Sequence, residues 1–147
     1  MARKYTILCI GKMKSDPLLD VIDHYIKQLS GDIQFIEIET GDMRSENLAL
    51  RKEIMKHKSA FWVALDTRGK TLSSEDLAQT MEPHNHIGFI IGGADGLDKE
   101  TLGLCQAKIA FGLMIWPHKL ARTMLIEQIY RCEAIWNNHP YHRAGNV

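Results

Sequence analysis

Residues 87–98, IGFIIGGADGLD, decide the fold class. Ile87 to Ile91 form a short apolar, β-prone run that ends abruptly at Gly92-Gly93-Ala94-Asp95-Gly96. Asp98 then stands where a helix N-cap would accept backbone N–H groups, opening a helix to about Ala107. Strand, tight loop and helix in that order make one unit of an α/β fold. Downstream, KIAFGLMIW (108–116) holds a fifth strand, and Pro117 starts a last helix that runs to about Trp136.

Upstream the same rhythm repeats. YTILCI (5–10) is a first strand, and Asp16-Pro17 pairs a cap with a proline at the first helical position. Leu18, Ile22, Tyr25 and Leu29 follow at helical spacing; Gly31-Asp32 breaks the helix before IQFIEI (33–38). Gly41 to Ser45 reads as a loop, 46–58 as a second helix, and AFWVAL (60–65) as a third strand buried on both faces. Asp66 to Gly69 turns the chain, and Ser73 with Asp76 resembles a capping box opening a helix over 74–81. Five alternations predict an α/β domain spanning 1–147, with a largely parallel sheet covered by helices on both faces.

Composition narrows the classes. In 147 residues, 45% are hydrophobic and 24% charged, which excludes disorder. Eighteen basic and eighteen acidic residues cancel, which weighs against wrapping DNA or other bare duplex. Cys9, Cys105 and Cys132 are far apart and odd in number, as expected of buried thiols in a reducing cytosol. No run is long enough to predict a membrane helix, and YTILCIG lacks a cleavage site for a signal peptide.

Ligands of open α/β sheets sit beyond the carboxyl ends of the strands, here after Leu65, after Ile91 and after the fifth strand. G-G-x-x-G is not the dinucleotide fingerprint, and no phosphate loop of the Gly-Lys-Ser/Thr kind exists. A cofactor without phosphates fits better. Phe111 to Trp116 would suit an adenine ring, or would simply be a buried strand. His84, His86, His139 and His142 lack carboxylate or thiol companions at ligand spacing, so no metal is expected. His118 is either a cap or a wall of the ligand site. The apolar stripe Ala121, Leu125, Ile129, Cys132, Trp136 of the last helix asks for burial, against a partner subunit or in the chain's own core. Lys119, Arg122, Arg131 and Arg143 outnumber Glu127 and Glu133 there, predicting a modest anion patch. The ending NNHPYHR crowds rings and one fixed cation into a tail able to stack on a base and hold a phosphate.

With IIGGADGL (90–97), WPH (116–118) and LIEQIYRCEAIWNNHPYHR (125–143), plus ILCIGKMK (7–14) and ALDTRGKTLSSEDLAQ (64–79), the chain resembles the bacterial RlmH-type methyltransferases of the SPOUT superfamily over nearly its whole length. The resemblance implies an α/β trefoil knot whose C-terminal helix passes through a loop, a cytoplasmic homodimer, and S-adenosylmethionine-dependent methylation of N3 of a pseudouridine in 23S ribosomal RNA on the assembled ribosome. It places the cofactor at Leu65, Gly92, Phe111, Gly112, Leu113, Met114, Ile115 and Trp116, with the methyl facing the neighbouring subunit's tail. Within that tail, chemistry suggests Arg143 for the developing anion or an adjacent phosphate, His142 as general base, and Tyr141 to stack on or orient the target base. Two features depart from the pattern: Ala144 to Val147 extend the tail, and Trp116 replaces a smaller apolar residue.

Overall fold

The computed structural model describes residues 2–143; the extension 144–147 lies outside them. Strands β1 (Lys4–Ile10), β2 (Asp32–Ile38), β3 (Phe61–Thr71), β4 (His86–Ile91) and β5 (Ala107–Ala110) alternate with helices α1 (Leu18–Ile26), α2 (Met43–Lys56), α3 (Ser74–Met81), α4 (Lys99–Gly103) and α5 (His118–Trp136). The sheet is parallel throughout, in the order β2-β1-β4-β3-β5.

That order places the helices. Parallel crossovers are right-handed, so connections running opposite ways along the sheet put their helices on opposite faces. The steps from β1 to β2 and from β3 to β4 run one way; those from β2 to β3 and from β4 to β5 run the other. Accordingly α1 and α3, joined by α5, cover one face through Ile22, Leu77, Met81, Leu125, Ile126 and Ile129 on Ile7, Cys9, Phe89 and Ile91. Helices α2 and α4 cover the other through Leu50, Ile54 and Leu102 on Leu8, Trp62, Ala64 and Ile90. The side-chain alternation of β1 sends odd residues to the first layer and even residues to the second.

Four elements differ from the sequence reading. Helix α4 ends at Gly103, short of the expected Ala107, which instead begins β5. The fifth strand stops at Ala110, and 111–117 form a loop, because Gly112 adopts φ +86° and turns the chain off the sheet. β3 continues through the expected turn to Thr71; Leu65 and Lys70 both pair with Ile109, so residues 66–69 bulge out of the ladder. α2 begins earlier, capped by Asp42, whose carboxylate accepts from Ser45 N at 2.8 Å.

Helix α5 resolves the open question about its stripe: Leu125, Ile129 and Cys132 are fully buried in the chain's own core. Three of the four cations counted toward the expected anion patch are paired with acids. Arg122 is buried against Glu37 at 2.7 Å, Arg131 pairs with Glu127 at 2.8 Å, and Lys119 with Asp16 at 3.3 Å. Charge counted along one helix overlooked acids supplied by β2 and by the loop before α1. Burial alone would raise the Glu37 carboxyl, but Arg122 and the Met13 N–H outweigh it and hold the group below the ordinary carboxylate range.

Gly88 has a packing reason to be glycine. A Cβ there would lie 2.3 Å from Trp62 Cε3, and Trp62 cannot swing aside because its Nε1 donates to His57 O at 3.0 Å. Gly88→Ala is expected to cost about 1–3 kcal/mol by overpacking, read as a lower denaturation midpoint with an unchanged slope.

Candidate active site

The carboxyl ends of β3, β4 and β5 open into a cleft of about 600 Å³. Its walls include Leu65, Asp66 and Arg68 from the first loop, Gly92 to Leu97 from the second, Phe111, Gly112, Met114, Ile115 and Trp116 from the third, and His118 at the start of α5. Volumes of 300–1,000 Å³ with an apolar lining and a few polar groups are typical of small-molecule sites. Seven of the eight residues singled out for a cofactor thus line this cleft; Leu113 does not and is 98% exposed. His118 lines the cleft, and the N-cap position of α5 falls on Pro117.

Each loop is held by a specific device. A Cβ on Gly92 would come within 3.0 Å of Leu97, and one on Gly93 within 2.9 Å of Glu46 Oε1, so both glycines let main chain approach where side chains leave no room. Asn47, fully buried in α2, holds the far end of that loop: its Oδ1 accepts from Asp98 N at 2.9 Å and its Nδ2 donates to Met43 O at 2.9 Å. Arg68 ties the first loop to the second, donating to both Asp66 carboxylate oxygens at 2.8 Å and to Leu97 O at 2.9 Å. The same Arg68 bonds, against some burial, hold the Asp66 carboxyl below its usual range. In the third loop Trp116 Nε1 donates to Phe111 O at 3.1 Å, closing a turn that leaves Leu113 and Ile115 in solvent.

The tail lies elsewhere. Tyr141 and His142 pack on α5 of their own chain and line none of the cleft, while Arg143 is exposed. Tyr141 Oη donates to Glu127 Oε2 at 2.8 Å, its ring meets Tyr130 edge-on at 4.7 Å, and the Arg131 guanidinium sits 4.8 Å above it. Burial, with the Tyr25 and Glu127 hydrogen bonds, raises the Tyr141 phenol, which stays a donor. Sequence reasoning passed over Asn47 and Arg68, since a polar residue inside a helix and an arginine in a turn carry no local signal. Glu127 and Arg131 entered only the charge count of the last helix, although their (i, i+4) spacing marks them as a pair. Among the described residues no three His, Cys, Asp or Glu side chains converge to hold a metal, and no helix is long and apolar enough to cross a membrane.

With this geometry in place, comparison with known proteins is informative. The sequence profile of a family described as "Predicted SPOUT methyltransferase" matches residues 3–142. The chain belongs to the SPOUT methyltransferase family. Among similar proteins, the "Ribosomal RNA large subunit methyltransferase H" of Dinoroseobacter shibae is 38% identical over 96% of this chain and 99% of its own. That of Carboxydothermus hydrogenoformans is 38% identical over 94% and 98%. A solved structure of similar fold, the tRNA (m1G37) methyltransferase from Aquifex aeolicus, superposes with a TM-score of 0.60 over 89% of this chain and 70% of that one, at 14% identity. This SPOUT methyltransferase therefore carries the α/β trefoil-knot fold, and its cleft lies where the three strand-end loops meet.

Proposed function

We propose that this SPOUT methyltransferase transfers a methyl group from S-adenosylmethionine to N3 of a pseudouridine in 23S ribosomal RNA, on the assembled ribosome or large subunit, in the cytoplasm. The supporting observation is the convergence of three strand-end loops on one cleft, in a chain whose relatives over almost their full length are named ribosomal RNA methyltransferases. The lining suits the cofactor: Gly92 and Gly93 present main chain without side chains to the cleft, and Phe111, Met114, Ile115 and Trp116 supply apolar walls. When bound, S-adenosylmethionine supplies an electrophilic methyl on a sulfonium sulfur. The chain's own contribution is mostly positioning.

The same reading makes the working unit a homodimer, with residues 1–147 as one domain in each copy. Leu113, Met114, Ile115, Trp116 and Leu120 expose apolar surface at the mouth of the cleft, at 98, 72, 85, 41 and 37%. Surface of this kind calls for cover. A second copy laid over it would bring its Tyr141, His142 and Arg143 to a cleft that the chain's own tail does not line. Arg143 then favours the anion that develops at N3 or an adjacent phosphate, His142 accepts the N3 proton, and Tyr141 orients the base.

The test is transfer of labelled methyl from S-adenosylmethionine to ribosomes lacking the modification, followed by mapping of the methylated nucleotide, with free tRNA as a parallel substrate. Label on tRNA alone would overturn the assignment. A neutral chain whose α5 arginines are paired should recognise its target by the shape of a large assembly. Binding to isolated 23S RNA fragments is therefore expected to be weak and shallow in salt dependence; filter binding across a salt series that gave tight, steeply salt-dependent complexes would contradict this.

A further inference from the structure

The tail is held to α5 by a chain of side-chain hydrogen bonds. Glu127 takes the Arg131 guanidinium on both oxygens, with Nη2 at 2.8 Å and Nε at 3.2 and 3.3 Å, and accepts Tyr141 Oη at 2.8 Å and Gln128 Nε2 at 2.9 Å. Arg131 in turn reaches His142, its Nη1 lying 3.0 Å from Nδ1. Glu127 also lines a second cavity of about 260 Å³, whose wall shares Ile109, Ala110 and Phe111 with the cofactor cleft. One carboxylate thus stands between the tail and the loop that encloses the cleft.

The Arg131–His142 contact has a chemical consequence. Arginine does not give up its proton, so Nδ1 must be the acceptor, and a neutral His142 carries its hydrogen on Nε2. That Nε2 is buried and has no hydrogen-bond partner among the described residues; the nearest acid, Glu75 Oε2, is 3.4 Å away. In this pose the ring offers an N–H and no free lone pair. To act as a base the ring must first leave Arg131; it then accepts at Nδ1, or at Nε2 once it has exchanged tautomer.

Resting on the reading of the tail as active-site material, we propose that Glu127 and Arg131 are positioning residues for methyl transfer. They anchor the tail on its own chain by Tyr141 Oη and His142 Nδ1, and Arg131 decides whether His142 meets the substrate as a donor or as an acceptor. The anchor is in cis, whereas Arg143, beyond it, is left exposed to reach a second copy.

Two measurements test this. In the wild-type enzyme, two-bond ¹H–¹⁵N spectra of ¹⁵N-histidine-labelled protein, assigned by loss of the His142→Ala signal, should show the proton on Nε2; in Arg131→Ala that preference should disappear. In Glu127→Gln, close in shape, kcat on ribosomes should fall on the order of 10–100-fold, with S-adenosylmethionine affinity and melting temperature near wild type. Arg131→Lys, which keeps a donor for Nδ1, should recover part of the kcat lost in Arg131→Ala. Wild-type kcat in Glu127→Gln and Arg131→Ala, or an Nδ1–H tautomer in the wild-type protein, overturns the proposal. If Arg143→Ala is inactive while Glu127→Gln is not impaired, only this inference fails. If Arg143→Ala turns over normally, the reading of the tail beneath it fails as well.

Discussion

Arg143→Ala is expected to lower methyl transfer to ribosomes by on the order of 100-fold or more, while calorimetric binding of S-adenosylmethionine stays within about twofold. The reason lies in where Arg143 is. It is exposed at the end of a tail pinned to its own α5 and is not a wall of the cleft, so removing it takes nothing from the cofactor's site. What it removes is a fixed positive charge, available where N3 becomes negative as it loses its proton. His142→Ala should behave similarly in turnover. A mixed dimer makes the point sharper. Combining Arg143→Ala with a second subunit blocked in the cleft by Gly92→Val should restore activity only if tail and cleft come from different copies: one of the two composite sites then keeps both an intact cleft and an intact tail. Loss of cofactor binding in Arg143→Ala, or full turnover, would show that the tail is not placed as proposed.

The second large effect concerns stability. Glu133, 6% exposed, accepts four hydrogen bonds: Tyr5 Oη at 2.8 Å, Ser30 N at 2.8 Å, Ser30 Oγ at 3.0 Å and Gly31 N at 3.1 Å. It staples the last turns of α5 to β1 and to the turn between α1 and β2. Glu133→Ala strands these donors in a space too tight for easy repacking, since even a Cβ on Gly31 would lie 2.4 Å from the Tyr5 ring. The expected loss is about 3–5 kcal/mol, a large part of the 5–15 kcal/mol that ordinary domains possess. Urea denaturation followed by tryptophan fluorescence measures it. A loss under about 1 kcal/mol would mean that water replaces the carboxylate, and that the staple is weaker than its geometry implies. Glu133→Gln should fall between, because it keeps an acceptor and introduces an N–H pair with no acceptor opposite.

Much of the architecture was legible in the residues. Apolar runs bounded by glycine marked β1 and β4, and Ser73 marked the start of α3, where its Oγ accepts from Asp76 N at 3.0 Å. The glycine loop announced itself as a place where main chain must come close to something. Less legible were features whose cause lies far away in sequence. Residues 111–116 are apolar enough to pass for strand, and only the positive φ of Gly112 and the Trp116–Phe111 bond make them a loop. The bulge at 66–69 depends on β3 pairing Ile109 twice, which no local pattern encodes. Lys119 and Arg122 of α5 read as a patch because their acids, Asp16 and Glu37, lie far away in the chain.

Period and punctuation are local: a two-residue or 3.6-residue apolar rhythm, a cap or a glycine states its element wherever it occurs, and for this reason the five strand–helix alternations and the three strand-end loops could be read from the chain itself. Which side chain faces which is not local. The Glu133 bonds to Tyr5 and Ser30, the burial of Arg122 on Glu37, and the separation of the tail from its own cleft arise only when α5 is drawn across the sheet between α1 and α3. Tertiary structure decided these because electrostatic and hydrogen-bond partners are chosen by distance in space, and in a knotted fold that distance bears little relation to distance along the chain.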